Sequence, residues 1–183
     1  PTELLKKEGL AGSEVLVYEG KGGAKVSDLT GLEHCTSLTN LELKSNQLSD
    51  LSPLTNLTNL TKLQLDDNQL SDLSPLVNLA IGYLDLRSNQ ISDISALVEN
   101  TGISGKINLK DNPLSNTTLS THIPALEARG IKVEYDMPED VVLFKDANLE
   151  KAIRDALGIP TELLKREDLV KLAELKVNNE NES

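Results

Sequence analysis

Four aspartates recur at one position of a repeating pattern, and such a column of carboxylates is the first candidate for metal chemistry. They are Asp28, Asp50, Asp72 and Asp93, each of which follows a Ser and precedes a Leu or Ile. Calcium takes about six to eight oxygen ligands, which one carboxylate per repeat does not supply. An aspartate before a short turn more commonly accepts backbone hydrogen bonds there. The sequence therefore predicts capping residues and no metal site.

The other residue types that could carry catalysis are sparse and scattered. His34 and His122 lie far apart in the sequence, and the adjacent acids Asp66 and Asp67 have no partner group across a cleft. Cys35 stands where the next repeats carry leucine, which predicts a small buried residue rather than a reactive thiol. We therefore expect no catalytic residue, no cofactor and no enzymatic activity.

Polar side chains that alternate with leucines are the remaining candidates, and the chemistry they suit is binding. These positions are Glu42, Lys44, Lys62, Gln64, Asp66, Tyr83, Asp85, Arg87, Lys106, Asn108 and Lys110. Tyr and Arg are enriched at binding hot spots, so we expect Tyr83 and Arg87 to lead the contact with a ligand.

The same charges permit a second interpretation. Lys44, Asp66 and Arg87 occupy equivalent positions in consecutive repeats and alternate in sign. Such a series can be a cross-strand charge ladder on a solvated sheet, in which each pair contributes ~0.2–1 kcal/mol. At this point both interpretations stay open.

Repeats of 22 residues must position these side chains. The segment LTNLELKSNQLSDLSPLTNL at 38–57 returns as LTKLQLDDNQLSDLSPLVNL at 60–79. One asparagine marks each repeat, at Asn46, Asn68, Asn89 and Asn112, with spacings of 22, 21 and 23 residues. Self-similarity of this length is typical of a solenoid, in which each repeat buries its apolar face against its neighbours.

The pattern L-x-x-L-x-L-x-x-N predicts a short strand followed by an asparagine that turns inward. One strand per repeat gives a parallel sheet on a concave face, and the four asparagines are expected to form a ladder that pairs buried backbone groups. The Ser-Pro steps that follow predict 3₁₀ turns on the convex face. The fold class is therefore α/β, a leucine-rich repeat solenoid shaped as a horseshoe or right-handed superhelix, with helical cap segments.

The regular pattern fades at both ends and divides the chain into three parts. Residues 1–35 are predicted to be an incomplete N-terminal cap and a degenerate first repeat, with Leu16 and Tyr18 in its strand and a glycine-rich turn at 20–25. Residues 36–135 are predicted to be the solenoid, closed by a helix over 119–126 and a strand over 131–135.

Residues 136–183 are predicted to be a helical, cap-like start of a second repeat unit. Asp146 is expected to cap a helix over 147–157 that Gly158 ends, and another short helix should include Leu169 and Leu172. The sequence PTELLKREDL at 160–169 matches PTELLKKEGL at 1–10 in eight of ten positions. We therefore expect weak head-to-tail self-association through residues 141–183 and 1–24.

The composition excludes several classes of function. The 183 residues carry a net charge of -11 with a pI near 4.6, which argues against nucleic-acid binding. No run approaches the ~20 apolar residues of a membrane span, so we expect no membrane insertion in this segment. The single cysteine permits no internal disulfide.

Residues 26–115, with the motif L-x-x-L-x-L-x-x-N-x-[LI]-S-D-[LI]-S-x-L, resemble the leucine-rich repeats of internalin-like bacterial surface proteins. The segment LFKDANLEKAIRDALGIP at 143–160 resembles the helical cap that precedes such repeats. The resemblance implies a non-enzymatic module that binds a protein ligand, on a secreted or surface-attached bacterial protein. The alternatives are a structural spacer in a tandem array and, less favoured because the face carries one aromatic residue, polysaccharide binding.

Overall fold

The computed structural model describes residues 14–20, 24–142, 144, 146–160 and 163–172. The chain forms two compact units, Pro1–Asp136 and Met137–Ser183. The predicted parts 1–13, 21–23 and 173–183 lie outside the described residues. The predicted boundary after residue 35 stays a prediction.

The first unit is built on one parallel sheet of six described strands in sequential order. The strands are β1 Val15–Val17, β2 Asn40–Glu42, β3 Lys62–Gln64, β4 Tyr83–Asp85, β5 Lys106–Asn108 and β6 Lys132–Glu134. Leu41, Leu63, Leu84 and Ile107 stand side by side across the middle strands. The changes in repeat length near Ala80 and 102–105 therefore fall in loops, because a slip of one residue would turn the buried leucines to the other face.

Leucine and isoleucine side chains fill the interior of this unit. Each central repeat places its strand leucines and its turn leucines in the same core, as with Leu63, Leu65, Leu70 and Leu76, all fully buried. Burial of one such side chain contributes ~1.5–3 kcal/mol, and the neighbouring repeats supply the covering atoms. Stacking of repeats, rather than any single repeat, stabilises the fold.

Opposite the sheet, short turns return the chain to the next strand. Three are 3₁₀ helices as predicted, at Leu32–His34, Ser52–Leu54 and Ser74–Leu76. The next turn differs, because α1 Ser95–Glu99 is an α-helix. It is followed by the buried Asn100, whose amide donates to two carbonyls of the preceding repeat and accepts from two amides of its own loop.

A longer helical segment closes the C-terminal side of the sheet. A π-helix at Thr118–His122 runs into α2 Ile123–Ala128, and β6 follows after Gly130. Ile131 and Val133 are buried, in agreement with the predicted alternation. The guanidinium of Arg129 donates to the carbonyls of Val98 and Asn100, at 3.0 and 2.7 Å, and so pairs backbone groups behind the sheet.

The second unit contains α3 Ala147–Leu157 and α4 Arg166–Val170. Asp146 caps α3 by accepting from the amides of Asn148 and Leu149, and Gly158 ends it with φ 67°, as predicted. Leu172, predicted to lie in α4, follows it instead. Among the described residues of the chain, no helix is both long and apolar enough to cross a membrane.

Candidate binding surface

The polar strand positions lie on the sheet face opposite the leucines, which we call the open face. Strand pairing arranges them in three rows that run across the strands. The first row is Val15, Asn40, Lys62, Tyr83, Lys106 and Lys132, the second is Val17, Glu42, Gln64, Asp85, Asn108 and Glu134, and the third, just beyond the strands, is Glu19, Lys44, Asp66, Arg87, Lys110 and Asp136. All eleven predicted binding candidates therefore share one face.

Asp85 is the centre of this face. Its side chain is only 2% exposed, although it points to the polar side of the sheet. Arg87 Nε donates to Asp85 Oδ1 at 2.9 Å, and the Tyr83 hydroxyl donates to Asp85 Oδ2 at 3.4 Å. The hydrogen bond with Asp85 raises the pKa of Arg87, whereas burial and the Asp85 charge raise the pKa of Tyr83. Both groups are therefore held in place by one buried carboxylate while the guanidinium side chain remains 41% exposed.

The neighbours of Asp85 in the second row are also buried. Gln64 is 7% exposed and Asn108 is 6% exposed, so a polar strip runs beneath the outer rows. Longer side chains of the first and third rows flank this strip, because residues two apart along a strand point to the same face of the sheet. A ligand on this face therefore contacts the side chains of the first and third rows first.

Asp66 is the least satisfied charged group of the open face. Its Oδ1 atom is buried without a hydrogen-bond partner among the described residues, and Arg87 Nη2 lies 3.7 Å from its Oδ2. Burial and the nearby charge of Asp85 raise the pKa of Asp66, and Lys44 and Arg87 oppose this shift only in part. Arg87 thus directs its closest hydrogen bond to Asp85 in its own strand and not across the sheet to Asp66.

Ion pairs also link the first row to the second. Lys62 Nζ lies 2.6 Å from Glu42 Oε1, and Lys106 Nζ lies 2.9 Å from Glu134 Oε2. These contacts lower the pKa of both carboxyl groups, with the lysine hydrogen bond as the largest cause. Lys132 also approaches Glu134, at 3.3 Å. The acids are thereby neutralised by cations of the same face.

Sequence reasoning predicted strands at both edges of the sheet but did not assign their outward side chains to this surface. Lys132 and Glu134 pair in register with Lys106 and Asn108, but an inserted helix places them 26 residues on. On the opposite edge, Val15 and Val17 are more than half exposed on the open face. The signal for these positions is the alternation of side chains in VLV at 15–17 and KVE at 132–134, which does not follow the 22-residue period.

The asparagines of the repeat lie inside the solenoid. Asn68 Nδ2 donates to the carbonyls of Leu43 and Leu65, and its Oδ1 accepts from the amide of Leu48. Asn89 and Asn112 repeat these contacts one and two turns later, while Asn46 at the start accepts from Val26 and donates to Lys44. The residues before them, Ser45, Asp67, Ser88 and Asp111, have φ between 52° and 59°.

The residues considered for chemistry occupy structural positions. Asp28, Asp50, Asp72 and Asp93 each accept from the backbone amide two residues later, and the hydroxyl bonds of Thr30, Ser52 and Ser95 lower the pKa of Asp28, Asp50 and Asp93. Among the described residues no group of three or more acids, histidines or cysteines could hold a metal ion. Cys35 is 3% exposed, and burial raises the pKa of its thiol, which suppresses the reactive thiolate.

Comparisons with known proteins agree with this geometry. The family model for Leucine Rich repeats in two copies matches residues 36–78. The chain is similar to the crystal structure of an internalin, InlF, from Listeria monocytogenes strain 4b F2365, with 30% identity and a TM-score of 0.52 over 62% of this chain and 39% of that chain. These matches confirm the predicted leucine-rich repeat solenoid of the internalin-like type. The chain spans less than half of that internalin.

A second solved structure, internalin C2 (InlC2) from the same strain, matches at 21% identity and a TM-score of 0.32, over 72% of this chain and 84% of that chain. A comparison with curated proteins gives no match.

Proposed function

We propose that this internalin-like leucine-rich repeat chain is a non-enzymatic module that binds a protein partner through its open face, as part of a secreted or surface-attached bacterial protein. The repeats and the likeness to InlF support a role in protein interaction. The surface location and the choice of face are our inference from that likeness and from the arrangement of side chains.

The arrangement of Tyr83, Asp85 and Arg87 carries the proposal. Tyr and Arg are the residue types that most often dominate binding energy, and they contribute most when they are held in place before the partner arrives. Asp85 holds both of them, yet the guanidinium side chain of Arg87 stays 41% exposed. A pair that served solubility alone would not need a buried carboxylate beneath it.

Affinity measurements with alanine variants test the choice of face. A partner captured by the intact protein is expected to lose affinity about tenfold or more with Tyr83→Ala or Arg87→Ala, as at a hot spot. Lys151→Ala is the matched control, because its side chain is 76% exposed in the second unit. A partner that binds all three variants equally would show that the open face is not the contact surface.

The alternative function is a spacer in a tandem array without a ligand of its own. The internal ion pairs of the open face favour this alternative, because they satisfy its charges without a partner. Absence of any saturable partner for the intact protein would support the spacer. Polysaccharide binding is the weaker alternative, since Tyr83 is the one aromatic residue among the open-face positions.

We also propose weak head-to-tail self-association through residues 141–183 and 1–24. Leu149 is 45% exposed and Val170 is 84% exposed on the second unit, which leaves apolar surface for a second copy. Sedimentation at about millimolar protein is expected to show dimers that Val170→Asp abolishes. A strict monomer at that concentration would contradict the proposal.

A further inference from the structure

We propose that the partner presents an acidic protein segment to the open face. This inference rests on the proposed binding function and specifies its chemistry. The evidence for it is that the cations of the open face are more exposed than the acids they pair with. The net charge of -11 does not reveal this arrangement.

In every ion pair described on this face, the cation is more exposed than the acid. The side-chain exposures are 39% for Lys62 over 18% for Glu42, and 41% for Arg87 over 2% for Asp85. They are 33% and 70% for Lys106 and Lys132, against 27% for the Glu134 they share. An approaching partner therefore meets ammonium and guanidinium groups first, with the carboxylates beneath them.

Ion pairs elsewhere in the described residues follow no single order. The acid is the more exposed partner in Arg154–Glu150, at 19% and 34%, and in Lys165–Asp140, at 37% and 47%. The lysine is the more exposed partner in Lys151–Asp155 and Lys171–Asp168. Lys and Arg side chains are longer than Glu and Asp, which favours outer cations on a flat sheet. The consequence for a ligand is the same, because the outer charge dominates contact in water.

The open face is also far less acidic than the rest of the chain. It carries six of the 18 basic residues and six of the 29 acidic residues, so its formal charge is zero while the chain carries -11. Two of its cations, Lys44 and Lys110, have no ion pair among the described residues. Surfaces of opposite charge steer partners toward one another and exclude partners of like charge.

The distance spanned by the lysines of the first row favours a short acidic segment in the partner. Lys62, Lys106 and Lys132 lie on strands β3, β5 and β6, which spans about 14 Å at ~4.8 Å per strand. Four or five extended residues at ~3.3 Å each cover that distance. A long polyanion such as DNA would extend beyond this row onto the acidic remainder of the chain, which repels it.

Selection from a displayed library of random peptides tests the proposal. The intact protein is the target, and the triple variant Lys62→Gln, Lys106→Gln, Lys132→Gln is the comparison. The double variant Lys151→Gln, Lys171→Gln removes exposed lysines from the second unit and is the control. We expect enriched peptides to be rich in Asp and Glu, to bind the triple variant about tenfold or more weakly, and to bind the control unchanged.

The outcomes separate this inference from the proposed function. Enrichment of neutral or basic peptides whose affinity falls with Arg87→Ala would overturn the acidic chemistry and leave the binding face in place. Peptides that bind the triple variant and Arg87→Ala as well as the intact protein would overturn both. Tight binding of a duplex DNA oligonucleotide, lost in the triple variant, would show a general polyanion site and would also overturn the proposal.

Discussion

The side-chain amide of Asn68 donates a hydrogen bond of 2.9 Å to the carbonyl oxygen of Leu43, which belongs to the preceding repeat. The same side chain accepts from the amide of Leu48 at 3.0 Å. One residue thus pairs both a donor and an acceptor of the neighbouring turn, in an interior that offers them few other partners.

Replacement of Asn68 by Ala should therefore be costly. We expect Asn68→Ala to lower the free energy of unfolding by ~1–3 kcal/mol, because buried backbone groups lose their partners. The urea midpoint measures the change. Asn59→Ala is the control, because Asn59 also donates across a turn, to Thr36, but at an exposed site. Equal midpoints for the two variants would contradict the role of the ladder.

Gly105 should not tolerate a side chain. Its φ is 68°, and a Cβ atom there would lie 2.1 Å from the carbonyl oxygen of Gly82. We expect Gly105→Ala to destabilise the protein by about 2 kcal/mol or more, because β4 and β5 must separate locally. At Gly82 the nearest atom to such a Cβ is 3.6 Å away, so Gly82→Ala is the control. Thermal unfolding of both variants distinguishes the two sites.

The left-handed residues before the asparagines offer a test of backbone strain. Ser88 is exposed and has φ 52°. We expect Ser88→Val to destabilise by ~1–2 kcal/mol, because a β-branched side chain disfavours this region, whereas Ser88→Gly should leave stability nearly unchanged. Ser49→Val, at an exposed site outside the positive-φ positions, controls for the added apolar surface. If Ser49→Val costs as much, strain is not the cause.

Asp66 should make stability depend on pH in an unusual direction. Burial and Asp85 raise its folded pKa above the unfolded value, so the fold loses stability as pH rises from the unfolded pKa to the folded pKa. We expect Asp66→Asn to raise the urea midpoint at pH 7 and to match the native protein below about pH 3, where the carboxyl is protonated in both states. A lower midpoint for the variant at pH 7 would show that the contact with Arg87 dominates.

Most of the fold could be predicted because the spacing of residues in the repeat specifies its strands and its buried face. The spacing of Leu41, Leu63 and Leu84 defines both the buried face and the strand register, and Asp146 with Gly158 defines the bounds of α3. These are local or periodic signals, so one sequence contains them.

The candidate surface could be predicted only in part. Tyr83 and Arg87 were assigned to one face by alternation, but their shared hydrogen bonds to Asp85 depend on side-chain conformations that spacing does not specify. The burial of Asp85 depends on the lengths of its neighbours in the outer rows. Lys132 and Glu134 were not assigned to this face, although their strand was predicted, because a helix interrupts the 22-residue period before them.

The buried position of Cys35 makes local opening of the N-terminal turns measurable by thiol modification. Its thiol is 3% exposed in the turn of the first repeats, and burial raises its pKa, so a thiol reagent reaches it only when that turn opens. The rate of its modification under native conditions, compared with the rate of global unfolding, would measure how independently the N-terminal end of the solenoid frays. No substitution is needed for that measurement, because the chain contains a single cysteine.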